Sequence, residues 1–316
     1  MTDLLAGAAD IVLQQLGVDS DDRFLVVSNP ELDGVAAALA TAARAHDRDV
    51  CLCEFAATSR DAEEPPAYVA AAMCEATAIA IVTRFSLSHT RARNQATLAG
   101  ARIASLPGIT EEIFGRAIAA DYDELQRVGR AVAAKLSQAD VCRVTAPGGT
   151  DVKLSLSGRQ AICDDGDLRQ PAAWGNLPAG EAFIAPVEAE VCGTIVFDGS
   201  LAGWGLLDEP LIVELVRGRL AAAEGGAAAD WLLETLEAGG ANGRTIAELG
   251  LGTNGAAIVS GVILEDEKVE GTAHFAFGAN TSFGGSNEAS VHIDGLVRGA
   301  AVELDGLPIL RDGRLV

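Results

Sequence analysis

FLVVSNPELDGVAAALATAARAHDRDVCLCEF (residues 24–55) decides the fold of the first part of the chain. Apolar FLVVSN (24–29) is followed by GVAAALATAARAH (34–46), small and apolar at helical spacing, and then by VCLCEF (50–55), which reads as strand, helix, strand. The pattern extends outward. MTDLLAGAADIVLQQLG (1–17) precedes it as an amphipathic helix. PAYVAAAMCEA (66–76), AIAIVTRF (78–85), RARNQATLAG (91–100) and ARIASLPG (101–108) continue as helix, strand, helix, strand. Strands joined through helices form a parallel sheet with helices on its faces. Residues 1–121 are therefore expected to form an α/β domain of the doubly wound, Rossmann- or flavodoxin-like kind.

The texture changes after a long helical pattern, YDELQRVGRAVAAKLSQAD (122–140). VCRVTAPGGTDVKLSLSGR (141–159) reads as a hairpin, EAFIAPVEAEVCGTIVFDGS (181–200) and EPLIVELVRGRL (209–220) as further strands, and ADWLLETLEAG (229–239) as one more helix. Turns of the DG and GG kind punctuate this half. Residues 122–316 are expected to form an α+β domain.

Composition narrows the functions. A net charge of −22 and a pI near 4.4, with lysine only at 135, 153 and 268, argue against binding to nucleic acid or anionic lipid, both of which need clustered cations. The N-terminus lacks a basic start and carries Asp3 and Asp10, so it does not read as a signal peptide, and no apolar run reaches the length of a membrane span. The expected location is the cytoplasm. Six dispersed cysteines without a CxxC pair read as small core residues, not as disulfides or ligands.

Ligands of such parallel sheets bind at the loops that follow the strands. SNPELDG (28–34) has no dinucleotide or phosphate-loop glycine pattern. VTRFSLSHTRAR (82–93) has two readings: a substrate-carboxylate site using His89 and Arg91, or a helix start capped by Ser88 or Thr90 with its arginines in solvent.

Four segments of the second half carry polar residues where strand burial predicts apolar ones. They are NLPAGEAFIAP (176–186) with Glu181, TIAELGLGTN (245–254) with Glu248, GTAHFAFGANTSFGG (271–285) with His274, and SVHIDG (290–295) with His292 and Asp294. Residues i and i+2 of a strand share a face, so His292 and Asp294 project side by side, either as metal ligands or as a buried hydrogen-bonded pair. Two imidazoles and three carboxylates suit zinc, cobalt, manganese or iron. Taken singly, each residue also fits a structural role.

From Glu181 onward, NLPAGEAFIAP, GTIVFDGS, AELGLGTN, EDEKVEGTAHFAFG and VHIDG closely resemble the C-terminal half of the aminopeptidase T and aminopeptidase S metallopeptidases, in a shorter form. The resemblance implies two divalent metal ions held by Glu181, Glu248, His274, His292 and Asp294. It also implies a homodimer, and hydrolysis of an amide bond, in a short peptide or a small molecule, by metal-activated water. Those peptidases carry a tyrosine where this chain has Thr281. A second similarity is to the mononuclear iron(II) 2,5-dihydroxypyridine dioxygenase, whose GxNTxxGG motif GANTSFGG matches more closely. That enzyme has histidine at the position of Glu248 and no metal-binding residue at those of Glu181 and His274. Ligand number favours the dinuclear hydrolase, because buried carboxylates are costly to ionise without a second cation. In that reading Glu248 takes part in catalysis, and EDEKVEG (265–271) offers Glu265, Glu267 and Glu270 as proton carriers unless the run is a solvated acidic turn. Glu267 is the choice among them, with Asn280 and Thr281 as donors replacing the tyrosine.

Overall fold

The computed structural model describes residues 2–311 and 313–316. The chain forms two compact units. One comprises residues up to Tyr122 together with Gly166–Ala179, the other Asp123–Asp165 with Gly180–Val316. In chain order the elements begin with α1 (Thr2–Leu16), β1 (Phe24–Ser28), α2 (Asp33–Ala45), β2 (Val50–Glu54), α3 (Ala67–Glu75), β3 (Ala78–Val82), α4 (Arg91–Leu98), β4 (Arg102–Ser105), α5 (Glu111–Ala117) and α6 (Tyr122–Gln138). They continue through β5 (Val141–Thr145), β6 (Asp151–Ser155), β7 (Ile162–Asp164), β8 (Trp174–Asn176), β9 (Glu181–Ile184), β10 (Cys192–Phe197), β11 (Ser200–Leu201), β12 (Gly205–Leu206), β13 (Leu211–Val216), β14 (Arg219–Glu224) and α7 (Gly226–Ala238). The last are β15 (Ile246–Gly252), α8 (Ile263–Asp266), β16 (Ala273–Gly278), β17 (His292–Val297), β18 (Ala301–Leu304), β19 (Leu307–Arg311) and β20 (Arg314–Leu315).

The first unit is the α/β fold that its sequence pattern predicts. Its sheet runs β2-β1-β3-β4-β8 with every pairing parallel. β1 and β3 are buried along their whole length, as expected of strands covered on both faces. Leu25, Val27, Ile79, Ile81 and Ile103 pack with Val69 and Met73 of α3 and Ala92 and Ala96 of α4. The alternate residues Phe24, Val26, Ala78 and Ala80 are equally buried, and α1 packs against α2 and α5. The division at residue 122 expected from sequence differs from this arrangement in one respect. Gly166–Ala179 returns to the first unit, where β8 extends the parallel sheet beside β4.

The second unit contains two antiparallel sheets, β14-β13-β10-β6-β5-β18-β19-β20 and β12-β11-β17-β16-β15-β9-β7. One apolar core joins them: Val152, Leu154, Ile195 and Val213 of the first sheet pack with Ile184, Leu249, Leu251, Phe275 and Val297 of the second. The ring of Phe197 meets that of Phe277 edge-on at 6.5 Å. Leu136 of α6 and Leu232 and Leu236 of α7 close the same core.

All six cysteines are free, but only Cys142 is buried, which corrects their reading as core residues. Cys51 and Cys53 lie on β2, an edge strand exposed on part of its surface. Among the described residues no helix is long and apolar enough to cross a membrane.

Candidate metal centre

Cross-strand partners share a face of a sheet. Gly252 of β15 lies opposite Glu181 of β9, and Gly250 opposite both Phe183 and His274. Ala276 of β16 lies opposite both Glu248 and Asp294, and Gly278 opposite His292. Glu181, Glu248, His274, His292 and Asp294 therefore converge on one face of four adjacent strands, while Leu249, Leu251, Phe275 and Phe277 fill the core on the other.

Two local features make this possible. Ile246 pairs with Phe277 on the core side, so an unbroken ladder would turn Glu248 towards the core as well. A bulge between Ile246 and Glu248 absorbs Ala247 and swings the carboxylate to the ligand face. Glycine at 250 makes room for the imidazole. A Cβ there would lie 2.0 Å from His274 Nε2.

The ligand atoms form two trios, Glu181/Glu267/His274 and Glu248/His292/Asp294, each with its atoms within 4.8 Å of one another. Glu248 connects them. Its Oε1 lies 3.4 Å from His274 Nε2 and its Oε2 3.4 Å from His292 Nε2. His274 Nε2 is 3.1 Å from Glu181 Oε2, and His292 Nε2 is 3.5 Å from Asp294 Oδ1. His292 Nδ1 lies 2.8 Å from the carbonyl of Ala279, a contact in which the ring N–H donates and Nε2 is left as the ligand atom. The ring of Phe283 stands edge-on to His292 at 5.9 Å and to Phe183 at 5.5 Å.

Two residues of the cluster were not picked out in the sequence. Lys268 is wholly buried, its Nζ 2.5 Å from Glu181 Oε1, 2.7 Å from Glu267 Oε1 and 3.5 Å from Asp164 Oδ2. Asp164 reaches the cluster from β7, opposite Glu181. Their only sequence signal is a rare lysine set among carboxylates in an acidic chain.

Burial works against charge throughout the cluster, and its neighbours decide each case. Burial opposes the Lys268 ammonium, but Glu181, Glu267 and Asp164 outweigh it and hold Lys268 well above the usual lysine value. Burial likewise opposes charge on His274 and His292, yet the carboxylates around them raise both well above ordinary histidine. Glu248 is drawn down to about 2 by the two imidazoles against the burial effect. Burial, with Glu181 nearby, pushes Asp164 up to about 7 and Glu267 up to about 8 despite Lys268.

The residues fit a divalent cation. His274 Nδ1 is buried without a hydrogen bond, and Glu181 Oε2 and His274 Nε2 face each other, 3.1 Å apart and out of hydrogen-bond alignment, an arrangement that a cation taking both lone pairs would satisfy. Mixed imidazole and carboxylate donors suit zinc, manganese, cobalt or iron.

The remaining sequence candidates are placed as follows. Glu267 joins the cluster. Glu265 is fully buried and accepts from Ile258 N, and the acidic run is thus a built segment, not a solvated turn; Glu270 alone of its three glutamates is exposed. Asn280 is buried, and its amide donates to Glu188 Oε1 and the carbonyl of Ala247 while accepting from Asn287 N. The amide braces the loop after β16. Thr281 is exposed on that loop. His89 and Arg91 belong to the first unit, where Thr90 caps α4 by accepting from Arg93 N. Arg91 is exposed beside Glu64, and His89 meets Trp174 edge-on at 6.4 Å.

The sequence profile of the 2,5-dihydroxypyridine 5,6-dioxygenase family matches residues 8–316. The chain belongs to that family. Among solved structures this family member is similar to 2,5-dihydroxypyridine dioxygenase from Pseudomonas putida, with a TM-score of 0.84 at 21% identity over 100% of this chain and 98% of that one. It is also similar to wild-type AmpT from Thermus thermophilus, with a TM-score of 0.75 at 20% identity over 99% of each chain. At these identities the likeness is one of fold. No curated protein matches the chain. The family is one of enzymes, and the ligand cluster gives this member a candidate metal centre. The aminopeptidase resemblance holds as a relation of fold.

Proposed function

We propose that this chain is a two-metal hydrolase of small ring-bearing amides. The observation that carries the reading is Glu248, whose two oxygens face two different imidazoles in two different ligand trios. The donor set supports it as well: five carboxylates (Asp164, Glu181, Glu248, Glu267, Asp294) and two imidazoles crowd around one ammonium, an acid-rich cluster suited to divalent cations. Glu181, Glu267 and His274 would hold one ion, His292 and Asp294 the other, with Glu248 between.

Bound divalent cations supply a water with its pKa lowered from ~15.7 towards ~7 and polarise a carbonyl. Glu267 lies at the cluster with its position fixed by Lys268, and is the carboxylate placed to carry a proton to the leaving nitrogen. His292 has a side chain 31% exposed, which makes this end of the cluster the open one. Phe283 stands beside His292 there and packs on Phe183, an apolar surface that suits a planar ring. The enzyme is read as a homodimer on its resemblance to the peptidases and as cytoplasmic on the character of its N-terminus, and light scattering at twice 32.4 kDa checks the dimer.

The family match and the higher TM-score to the dioxygenase favour a second reading, ring cleavage of a hydroxylated aromatic or pyridine at one iron(II). A 2-His-1-carboxylate iron centre needs two imidazoles on one ion. Here His292 is the one imidazole in its trio. Elemental analysis of protein purified without chelator, with oxygen uptake and amide release assayed together, separates the two. Two ions and release of amine without oxygen uptake support the hydrolase; one iron with oxygen uptake overturns it.

A further inference from the structure

The Lys268 ammonium occupies part of the space and charge that a metal would claim. It is wholly buried, so its charge is not screened by solvent. It contacts Glu181 Oε1 and Glu267 Oε1, each belonging to a donor of the first trio. Glu181 has its other oxygen, Oε2, turned to His274, so one carboxylate serves the ammonium with one atom and the metal position with the other. The second trio has no such competitor. Glu248 and Asp294 face imidazoles, and no ammonium or guanidinium contacts them among the described residues. The two positions therefore offer unequal fields to a cation.

We propose that Lys268 is a resident cation that competes with the ion at Glu181/Glu267/His274, so that the Glu248/His292/Asp294 position fills first and the other fills last. The inference rests on the two-metal reading and deepens it. Without the weaker ion, Lys268 still neutralises Glu181 and Glu267 in part, and the one-metal form is a stable state of the protein. One scaffold thereby supports both occupancies. Lys268 is a positioning residue in this scheme, acting on ligand carboxylates and not on substrate.

The test is calorimetric titration of chelator-stripped protein with Mn²⁺ or Zn²⁺, comparing the full chain with Lys268→Met and Lys268→Arg. The full chain is expected to bind two ions, the second at least about tenfold more weakly. Lys268→Met removes the competitor and closes that gap. Lys268→Arg keeps the charge and keeps the gap. If Lys268→Met binds both ions as the full chain does, the competition is overturned while the two-metal reading survives. One ion in the full chain and two in Lys268→Met would support the competition and overturn the two-metal reading. One ion in both overturns both. Should Lys268→Met fail to fold, as judged by circular dichroism, Lys268→Gln removes the charge while keeping hydrogen bonds, and the same outcomes apply.

Discussion

Adding one methyl group at position 250 should cost more than deleting many exposed side chains. Gly250 lies directly across from His274, and an alanine Cβ there would sit 2.0 Å from Nε2 and 2.1 Å from Cε1. Ordinary van der Waals contact begins near 3.4 Å, so the ring must retreat by about 1.4 Å, the difference between the two distances. It has nowhere to go: His274 is fully buried. Overpacking of this kind costs ~1–3 kcal/mol, and a displacement near 1 Å at a reacting centre costs ~100-fold in rate. Glycine to alanine where the backbone tolerates it stabilises by ~0.4–1 kcal/mol, so the sign of the effect is diagnostic. Gly7 of α1, where an added Cβ would meet no atom within 4 Å, supplies the control. Gly250→Ala should lower both Tm and bound metal, while Gly7→Ala should raise Tm and leave metal unchanged. Calorimetry and elemental analysis on the two variants decide it. A Gly250→Ala protein with full metal content and an unaltered or higher Tm would refute the geometry.

Glu248→Gln should empty both positions together, because one carboxylate faces both imidazoles. An altered outer contact costs 10–100-fold in affinity, and loss of this shared ligand should exceed about 100-fold at each position, measured by chelator competition. Glu188 accepts from Ser286 N at 2.7 Å and pairs with Arg159 at 2.6 Å, contacts that against the effect of burial hold its carboxyl below the ordinary 4.5. A depressed folded value stabilises above 4.5 and loses that contribution as pH falls through it. Glu188→Gln should therefore be less stable than the parent near neutral pH, with the gap closing in acid; a gap independent of pH in denaturant titrations would disprove the role. In the first unit, the guanidinium of Arg93 lies 3.9 Å over the ring of Trp174. Trp174→Ala should destabilise by ~1–2 kcal/mol by urea melts and leave metal content intact.

What was legible in the chain follows the reach of each interaction. β1 and β3 declare themselves because a strand covered on both faces is apolar at every position, and the helices between them leave only a parallel sheet. His292 and Asp294 are legible for a similar reason, since a two-residue spacing is local. Glu248 reaches the same face only through the bulge at Ala247, which no periodicity announces. The pairing of Lys268 with Glu181 spans 87 positions, and nothing near either residue points to the other. The acidic run 265–268 reads as solvated by charge count, yet backbone amides from the 258–261 loop satisfy Glu265 and Asp266 and draw it inward. β8 escaped notice because Trp174–Asn176 is three residues long and too short to carry a pattern.

That short strand has a consequence for how this chain can be divided. The polypeptide leaves the first unit after Tyr122 and re-enters it at Gly166 before leaving again at Ala179. A single cut near residue 121 would strip β8 from the sheet and leave β4 with open backbone donors and acceptors along one side, the kind of edge that recruits other chains. Excising the first unit as a fragment therefore requires a bridge from residue 122 to 166 in place of α6 and strands β5 to β7. The order along the chain is first unit, second unit, first unit, second unit, so neither unit is one contiguous stretch that a single cut could free.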